Sequence, residues 1–216
     1  GYHNLTDTSR GITKELYANT TDDEENIGRI ESSSTTGFTF PSTEYGYTNE
    51  NGQTFVSWNW HANGGTTTTN DASATSVGTI DSVYQANTTA GFSIVTYTGT
   101  GSNGTIAHGL GAVARMVIIK NRDQTDNWAV GHTDIGFSNH LQLNVTDAST
   151  SASAVFNSTA PTSTVFSVGT NHKTNASSED YIAYCFAEVE GYSKFGSFTG
   201  NGSTDGTFVF TGFRPQ

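Results

Sequence analysis

The sequence predicts an all-β, antiparallel fold, and three observations carry that prediction. Thr is the most abundant residue, accompanied by 24 Gly and many Ser and Asn, while only 13% of the chain is charged. Thr is β-branched, loses side-chain freedom in a helix and suits a pleated surface. Short segments also alternate apolar and polar residues, the mark of strands with one buried and one wet face. Finally, turn pairs recur at Asn51-Gly52, Asn63-Gly64, Asn103-Gly104, Asn201-Gly202 and Asp205-Gly206, where glycine tolerates the positive φ of hairpin turns. A hydrophobic content of 33% would also suit disorder, but 12% aromatic residues in periodic clusters can fill a sandwich core.

Along the chain, residues 12–30 have the one pattern compatible with a short helix, and their Asn-Thr-Thr content favours irregular strand and loop instead. Strands are predicted over 54–60, 91–97, 114–120, 127–130, 141–145, 164–168, 181–186 and 207–210. The expected core is Phe92, Ile94, Val117, Ile119, Trp128, Leu143, Phe166, Ile182 and Tyr184. Between 64 and 77 the chain runs Gly-Gly-Thr-Thr-Thr-Thr-Asn-Asp-Ala-Ser-Ala-Thr-Ser-Val, almost without large apolar side chains. That composition reads as a linker or an extended crossover.

The chain also resembles itself. Phe55, Trp58 and Trp60 in 54–60 fall where Tyr181, Tyr184 and Phe186 fall in 180–186. Gly37-Phe38-Thr39-Phe40 parallels Val165-Phe166-Ser167-Val168, and Gly1-Tyr2-His3 with Leu16 and Asn19 parallels Gly131-His132 with Leu141 and Asn144. A second similarity pairs Gly91-Phe92-Ser93 and Tyr97-Thr98-Gly99 with Gly191-Tyr192-Ser193 and Phe198-Thr199-Gly200. It continues through Gly104-Thr105-Ile106 and Gly206-Thr207-Phe208. The expected organisation is the second half of a β unit over 1–64, a linker or crossover over 65–88, a complete unit over 89–190 and the opening hairpin of another over 191–216. A chain cut mid-repeat at both ends, or a permuted sandwich whose end pieces complement each other, would give this order.

Charge narrows the functional classes. Nine basic residues against twenty acidic ones leave a formal net charge of −11, with no basic cluster to meet a phosphate backbone, so no nucleic-acid partner is expected. No apolar run approaches a membrane span, so no membrane insertion is expected. Cys185 is the single cysteine; within Tyr181–Phe186 it reads as a buried apolar thiol, with no disulfide framework or Cys-based metal site. The lack of disulfides suits a bacterial or viral structural protein.

No residue pattern points to catalysis. His3, His61, His108, His132, His140 and His172 are scattered without metal-ligand spacing, and a structural hydrogen bond at matched positions explains His3 and His132. No Gly-x-Ser-x-Gly elbow occurs. Glu188 and Glu190 close a strand, and Glu179-Asp180 sits in a turn, so a carboxylate pair for glycoside hydrolysis is not expected. Asp22-Asp23-Glu24-Glu25 lacks the order of a calcium loop and reads as a solvated loop. The Gly-x-Gly-Ser turns at 99–102 and 200–203 lack the Lys and helix of a phosphate loop. Tyr45, Tyr47 and Trp60-His61 could form an aromatic platform for sugar, although the match of Trp60 to Phe186 favours core packing. No catalytic, cofactor-binding or metal residue is expected, no cofactor is implied, and any ligand-binding residue is left unassigned.

The series Gly91-Phe-Ser-Ile-Val-Thr-Tyr-Thr-Gly-Thr-Gly-Ser102, His108-Gly-Leu110, Met116-Val-Ile-Ile-Lys-Asn-Arg122 and Tyr181-Ile-Ala-Tyr-Cys-Phe-Ala-Glu-Val-Glu-Gly-Tyr-Ser-Lys-Phe-Gly-Ser-Phe198 is distinctive. With Arg10–Leu16 and Gly212-Phe-Arg-Pro215, it resembles an uncharacterised β-rich repeat domain of tail-fibre-like and other virion structural proteins of tailed bacteriophages, notably marine ones. The resemblance spans nearly the whole chain except the linker. It departs from that pattern at Ala112-Val113-Ala114-Arg115, where a proline is common. It implies a jelly-roll or lectin-like β-sandwich on the exterior of a virion, at tail or capsid. The expected partners are other virion proteins, further copies of itself (a trimer being one form that fibres take) and a host surface glycan. The expected function is host attachment without enzymatic activity. The alternatives are a capsid decoration or head-fibre protein without a receptor, and a polysaccharide-depolymerising tailspike.

Overall fold

The computed structural model describes residues 1–42, 46 and 48–215. The first strands are β1 (Asn4–Leu5), β2 (Lys14–Tyr17) and β3 (Glu25–Asn26), then β4 (Ser32–Ser33) and β5 (Phe38–Thr39). After a long irregular stretch come β6 (Thr68–Asn70), the one-turn helix α1 (Ala72–Thr75), β7 (Ser82–Asn87), β8 (Phe92–Thr98), β9 (Gly104–Ala107) and β10 (Ala114–Asn121). The rest are β11 (Ala129–His132), β12 (Asn139–Gln142), β13 (Thr150–Ser151), α2 (Ser153–Phe156), β14 (Val165–Val168), α3 (His172–Asn175) and β15 (Asp180–Ala187). The fold class is all-β, with helix limited to single turns among the described residues.

Eight strands form one antiparallel sheet in the order β13-β12-β11-β10-β15-β8-β7-β6. At its centre β15 pairs with β10 on one side, Ile119 opposite Ala183, and with β8 on the other, Tyr97 opposite Tyr181. Successive side chains of a strand point to opposite faces. Tyr181, Ala183 and Cys185 therefore join Val95, Tyr97, Val117, Ile119, Phe156 and Phe166 on one face, while Ile182 and Tyr184 join Leu16, Phe92, Ile94 and Trp128 on the other. The first face carries the β9–β14 ribbon with α2 and α3. The second is covered by residues of the β1-β2-β3 sheet. A strand covered on both faces needs an almost continuous apolar run, which is what residues 181–186 provide.

The internal repeat reappears as geometry. β1 pairs with β2 through Asn4–Tyr17 and Leu5–Leu16, and β11 with β12 through Ala129–Gln142 and Val130–Leu141. Every partner is moved by the same 125 positions, 4 to 129 and 17 to 142. The same step takes the β2–β3 pairs Lys14–Asn26 and Glu15–Glu25 onto the β12–β13 pairs Asn139–Ser151 and His140–Thr150. Asn19 Oδ1 accepts the His3 N–H at 2.7 Å, and Asn144 Oδ1 accepts the Trp128 N–H at 3.0 Å. The structural counterpart of His3 is thus Trp128, not His132. Hydrogen-bond register corrects an alignment that letters alone placed four residues away.

Other expectations also change. The stretch 65–88 is no linker: β6 and β7 extend the main sheet, with Thr69 opposite Val83 and Tyr84 opposite Val95. Its Thr residues serve an exposed edge strand, where a neutral polar surface suffices. Asn103-Gly104 joins β8 to β9, which lie in different sheets, so that turn is a corner rather than a hairpin. Leu143 is exposed because β12 ends at Gln142 and the chain turns away; the other expected core residues are buried. Residues 54–60 and 207–210, with the apolar pattern of strands, form no strand and pair with none among the described residues.

Candidate functional site

Two features stand out: a buried polar cluster between the layers and an exposed aromatic surface. In the cluster, Arg10 Nε donates to Asp7 Oδ2 at 2.6 Å and its Nη1 to Glu24 Oε2 at 3.1 Å. Lys14 Nζ donates to Glu24 Oε1 at 2.8 Å, and Arg122 donates to both Glu24 oxygens at 2.9 and 3.0 Å. From the sheet, the Tyr184 hydroxyl donates to Asp7 Oδ2 at 2.7 Å. Burial by itself would raise the Glu24 carboxyl, but the bonds from Arg122 and Lys14 and the nearby guanidinium charges prevail and hold it at about 2. Burial likewise opposes the Arg10 charge, and Tyr184, Asp7 and Glu24 outweigh it. The cluster clamps residues 7–24 onto the main sheet.

Within the acidic run 22–25, Asp23 and Glu25 are exposed as a solvated loop would have them, and Glu24 is the exception. Glu24 has a buried side chain holding three cations, and Glu25 accepts the Tyr17 hydroxyl at 2.6 Å. Arg29 makes a second buried pair with Glu15 and donates to the Tyr17 hydroxyl. These pairings leave little sign in the sequence, because Glu24 and Arg122 lie far apart in the chain.

The histidines are dispersed. His108 is buried, donating from Nε2 to the Thr162 carbonyl and accepting the Leu110 N–H at Nδ1, and burial lowers its pKa. His132 accepts the Asp134 N–H, His61 meets Asn87, and the exposed His172 pairs with Asp126. His3 is bonded through its main chain, and His140 is buried. Among the described residues no three His, Cys, Asp or Glu side chains gather as a metal-ion site. Cys185 is fully buried and its thiol is pushed up to about 12 by burial.

Glu179 accepts from Asn121 and Tyr181 just before β15 begins, whereas Glu188 beyond its end faces Lys194 and Arg115. Nine residues of extended chain, roughly 30 Å, separate them. That exceeds the roughly 5–9.5 Å between paired glycosidase carboxylates. A shallow open depression on the sheet is lined by Thr69, Ser82, Thr98, Arg122 and Asp180.

The second feature is the exposed aromatic surface. Trp58 is 76% exposed and Phe208 85%, and Phe55, Val56, Trp60, Tyr192, Phe198 and Phe210 are also exposed. Trp60, expected in the core through its match to Phe186, instead lies on top of it. Its ring stands 6.3 Å from Phe92 and 6.5 Å from Phe186, and Phe195 approaches Phe186 at 6.1 Å. His61 beside it takes both polar contacts with Asn87. Tyr45 and Tyr47 lie outside the described residues. Exposed aromatic side chains can bind by stacking and apolar contact, as those of sugar-binding and protein-binding surfaces do.

Fold and surface together define a β-rich protein whose exposed apolar groups are extended along the chain rather than gathered in a pocket. The chain belongs to the family described as Domain of unknown function (DUF7483), whose model matches residues 1–216. No curated protein and no solved structure matches the chain. No helix among the described residues is long and apolar enough to cross a membrane.

Proposed function

We propose that the protein is a structural and adhesive component on the exterior of a bacteriophage particle, acting by non-covalent attachment to a host surface. The observation that carries this reading is the set of large aromatic side chains, Trp58, Trp60 and Phe208 among them, left exposed on a tightly packed β body. The resemblance of residues 91–122 and 181–198 to repeat domains of tail-fibre-like proteins supports it. The finer fold relation belongs with it: a jelly-roll or lectin-like sandwich arranged as repeats. Weak contacts multiplied over several copies would supply avidity, and a host surface glycan is the chemistry that stacking aromatics and Asn side chains serve.

Antibody labelling of whole particles, paired with binding of fluorescent protein to host cells, tests the reading. Label on the tail together with saturable cell binding supports attachment. Label on the capsid without cell binding favours a decoration protein. Absence from the particle contradicts the reading, and release of reducing ends from host polysaccharide would point to a depolymerase.

A further inference from the structure

We infer that residues 37–40 and 54–60 on one side and 197–210 on the other are strands awaiting each other, and that they pair between two copies of this chain. The register of that pairing is already present inside the molecule. In the 89–190 unit, β15 pairs with β8 through Tyr181 opposite Tyr97, and β14 pairs with β9 through Phe166 opposite Ile106. By the internal repeat, Phe55 stands for Tyr181 and Phe38 for Phe166, while Phe198 stands for Tyr97 and Phe208 for Ile106. Two separate strand pairs of the complete unit therefore specify the same two segments as partners, Phe55 with Phe198 and Phe38 with Phe208.

The side chains support it independently. In the complete unit Tyr97 stacks on Tyr181 at 5.2 Å and meets Phe166 at 6.1 Å, and all three are buried. Their counterparts Phe198, Phe55 and Phe38 are again all aromatic, yet they are 68%, 45% and 38% exposed. Glycine repeats the pattern. A Cβ on Gly99 would lie 2.1 Å from the Ala176 carbonyl oxygen and 2.9 Å from the Tyr181 ring, whereas its counterpart Gly200 has nothing within 4 Å. Gly200 keeps room for a strand that a single copy does not provide.

A second copy is the occupant we infer, because in each copy the described residues of the two segments are not paired with each other, so two copies can satisfy each other. Pairing within one chain has the higher effective concentration, so it would form first if the body allowed it. Yet 54–60 and 197–210 pair with no strand here, and β5 pairs with β4 alone. Exchange between copies is strand addition, with main-chain bonds giving affinity and alternate side chains giving register. It needs nothing of the attachment reading and would occur whether or not a particle carries the protein.

Single-cysteine variants of the full chain test this, since buried Cys185 contributes no accessible thiol. A mixture of Phe55→Cys with Phe198→Cys, and separately of Phe38→Cys with Phe208→Cys, is expected to form disulfide-linked pairs of copies on mild oxidation. Each should exceed the out-of-register mixture of Phe55→Cys with Phe208→Cys by about tenfold or more. Four results would overturn the inference. One is a monomer in sedimentation up to about 100 μM with no cross-link. Equal cross-linking in and out of register is a second, and cross-linking in only one of the two in-register mixtures is a third. The last is a Phe55→Cys/Phe198→Cys double variant that closes only within its own chain at high dilution. Near-ultraviolet circular dichroism of buried Trp128 confirms that each variant is folded.

Discussion

Residues 54–60 and 180–186 share the same spacing of three aromatics, yet the second is the most deeply covered strand of the molecule and the first lies open to solvent. β15 has a strand on each side and an apolar layer on each face. Residues 54–60 have neither flanking strand among the described residues, and there Trp60 alone finds ring partners, on the back of Phe92 and Phe186. The pattern of a strand is a property of the sequence, but its burial belongs to the neighbours. The hairpins teach the converse. β1-β2-β3 and β11-β12-β13 keep one register because each carries its own partners with it.

The largest expected effect separates the two segments directly. Tyr181→Ala removes a fully buried ring and the bonds of its hydroxyl with Ala176 and His172, so a loss of about 3–5 kcal/mol is expected. Phe55→Ala in dilute protein should stay within about 0.5 kcal/mol of the wild type. Urea unfolding of both variants measures the contrast.

Next comes the clamp that holds the first thirty residues on the sheet. Glu24→Gln leaves Arg10 and Arg122 without their shared carboxylate, an expected loss of about 3 kcal/mol, toward the low end for a broken buried pair because Lys14 and Arg122 keep some solvent. The Glu24 carboxyl is depressed from 4.5 to about 2 on folding. Its contribution is thus complete above pH 4.5 and is lost as pH falls toward 2, where the folded state must also take up the proton. Stability measured from pH 5 down to about 2 should fall more steeply in the wild type than in Glu24→Gln.

Smaller effects sharpen the contrast at matched glycines and asparagines. Gly99→Ala forces a Cβ against the Ala176 carbonyl and should cost about 2 kcal/mol, whereas Gly200→Ala should cost nothing measurable in the monomer. Asn144→Ala removes the bond to the Trp128 N–H and should cost about 1 kcal/mol. Asn19→Ala, whose bond to His3 is exposed, should cost a few tenths. Thermal unfolding of the four variants ranks them.

Much of the fold was legible in the sequence. Alternation and short apolar runs located β8, β10, β14 and β15, because their buried side chains are large. It also placed Cys185 in the core. β6 escaped because an edge strand needs little apolar content, so Thr-rich chain there looks like linker, and β7, though flanked by β6 and β8, carries only Val83 and Tyr84 as large apolar side chains. Leu143 and Trp60 were misplaced because periodicity does not tell where a strand stops or whether a neighbour arrives. The clamp of Asp7, Arg10, Glu24 and Arg122 left no local signal: its members meet only after the layers stack. The exposed aromatics were half legible, since the sequence marked Trp60 and His61 as a candidate platform but not that Trp58 and Phe208 would also stand in solvent.

Hydrogen–deuterium exchange followed over a dilution series tests the central claim most directly. Amides of 180–187 should be protected at every concentration, while those of 54–60 and 198–210 should exchange fast in dilute protein and slow together as copies associate. Strong protection of 54–60 in the dilute monomer, or fast exchange there at every concentration, would contradict it.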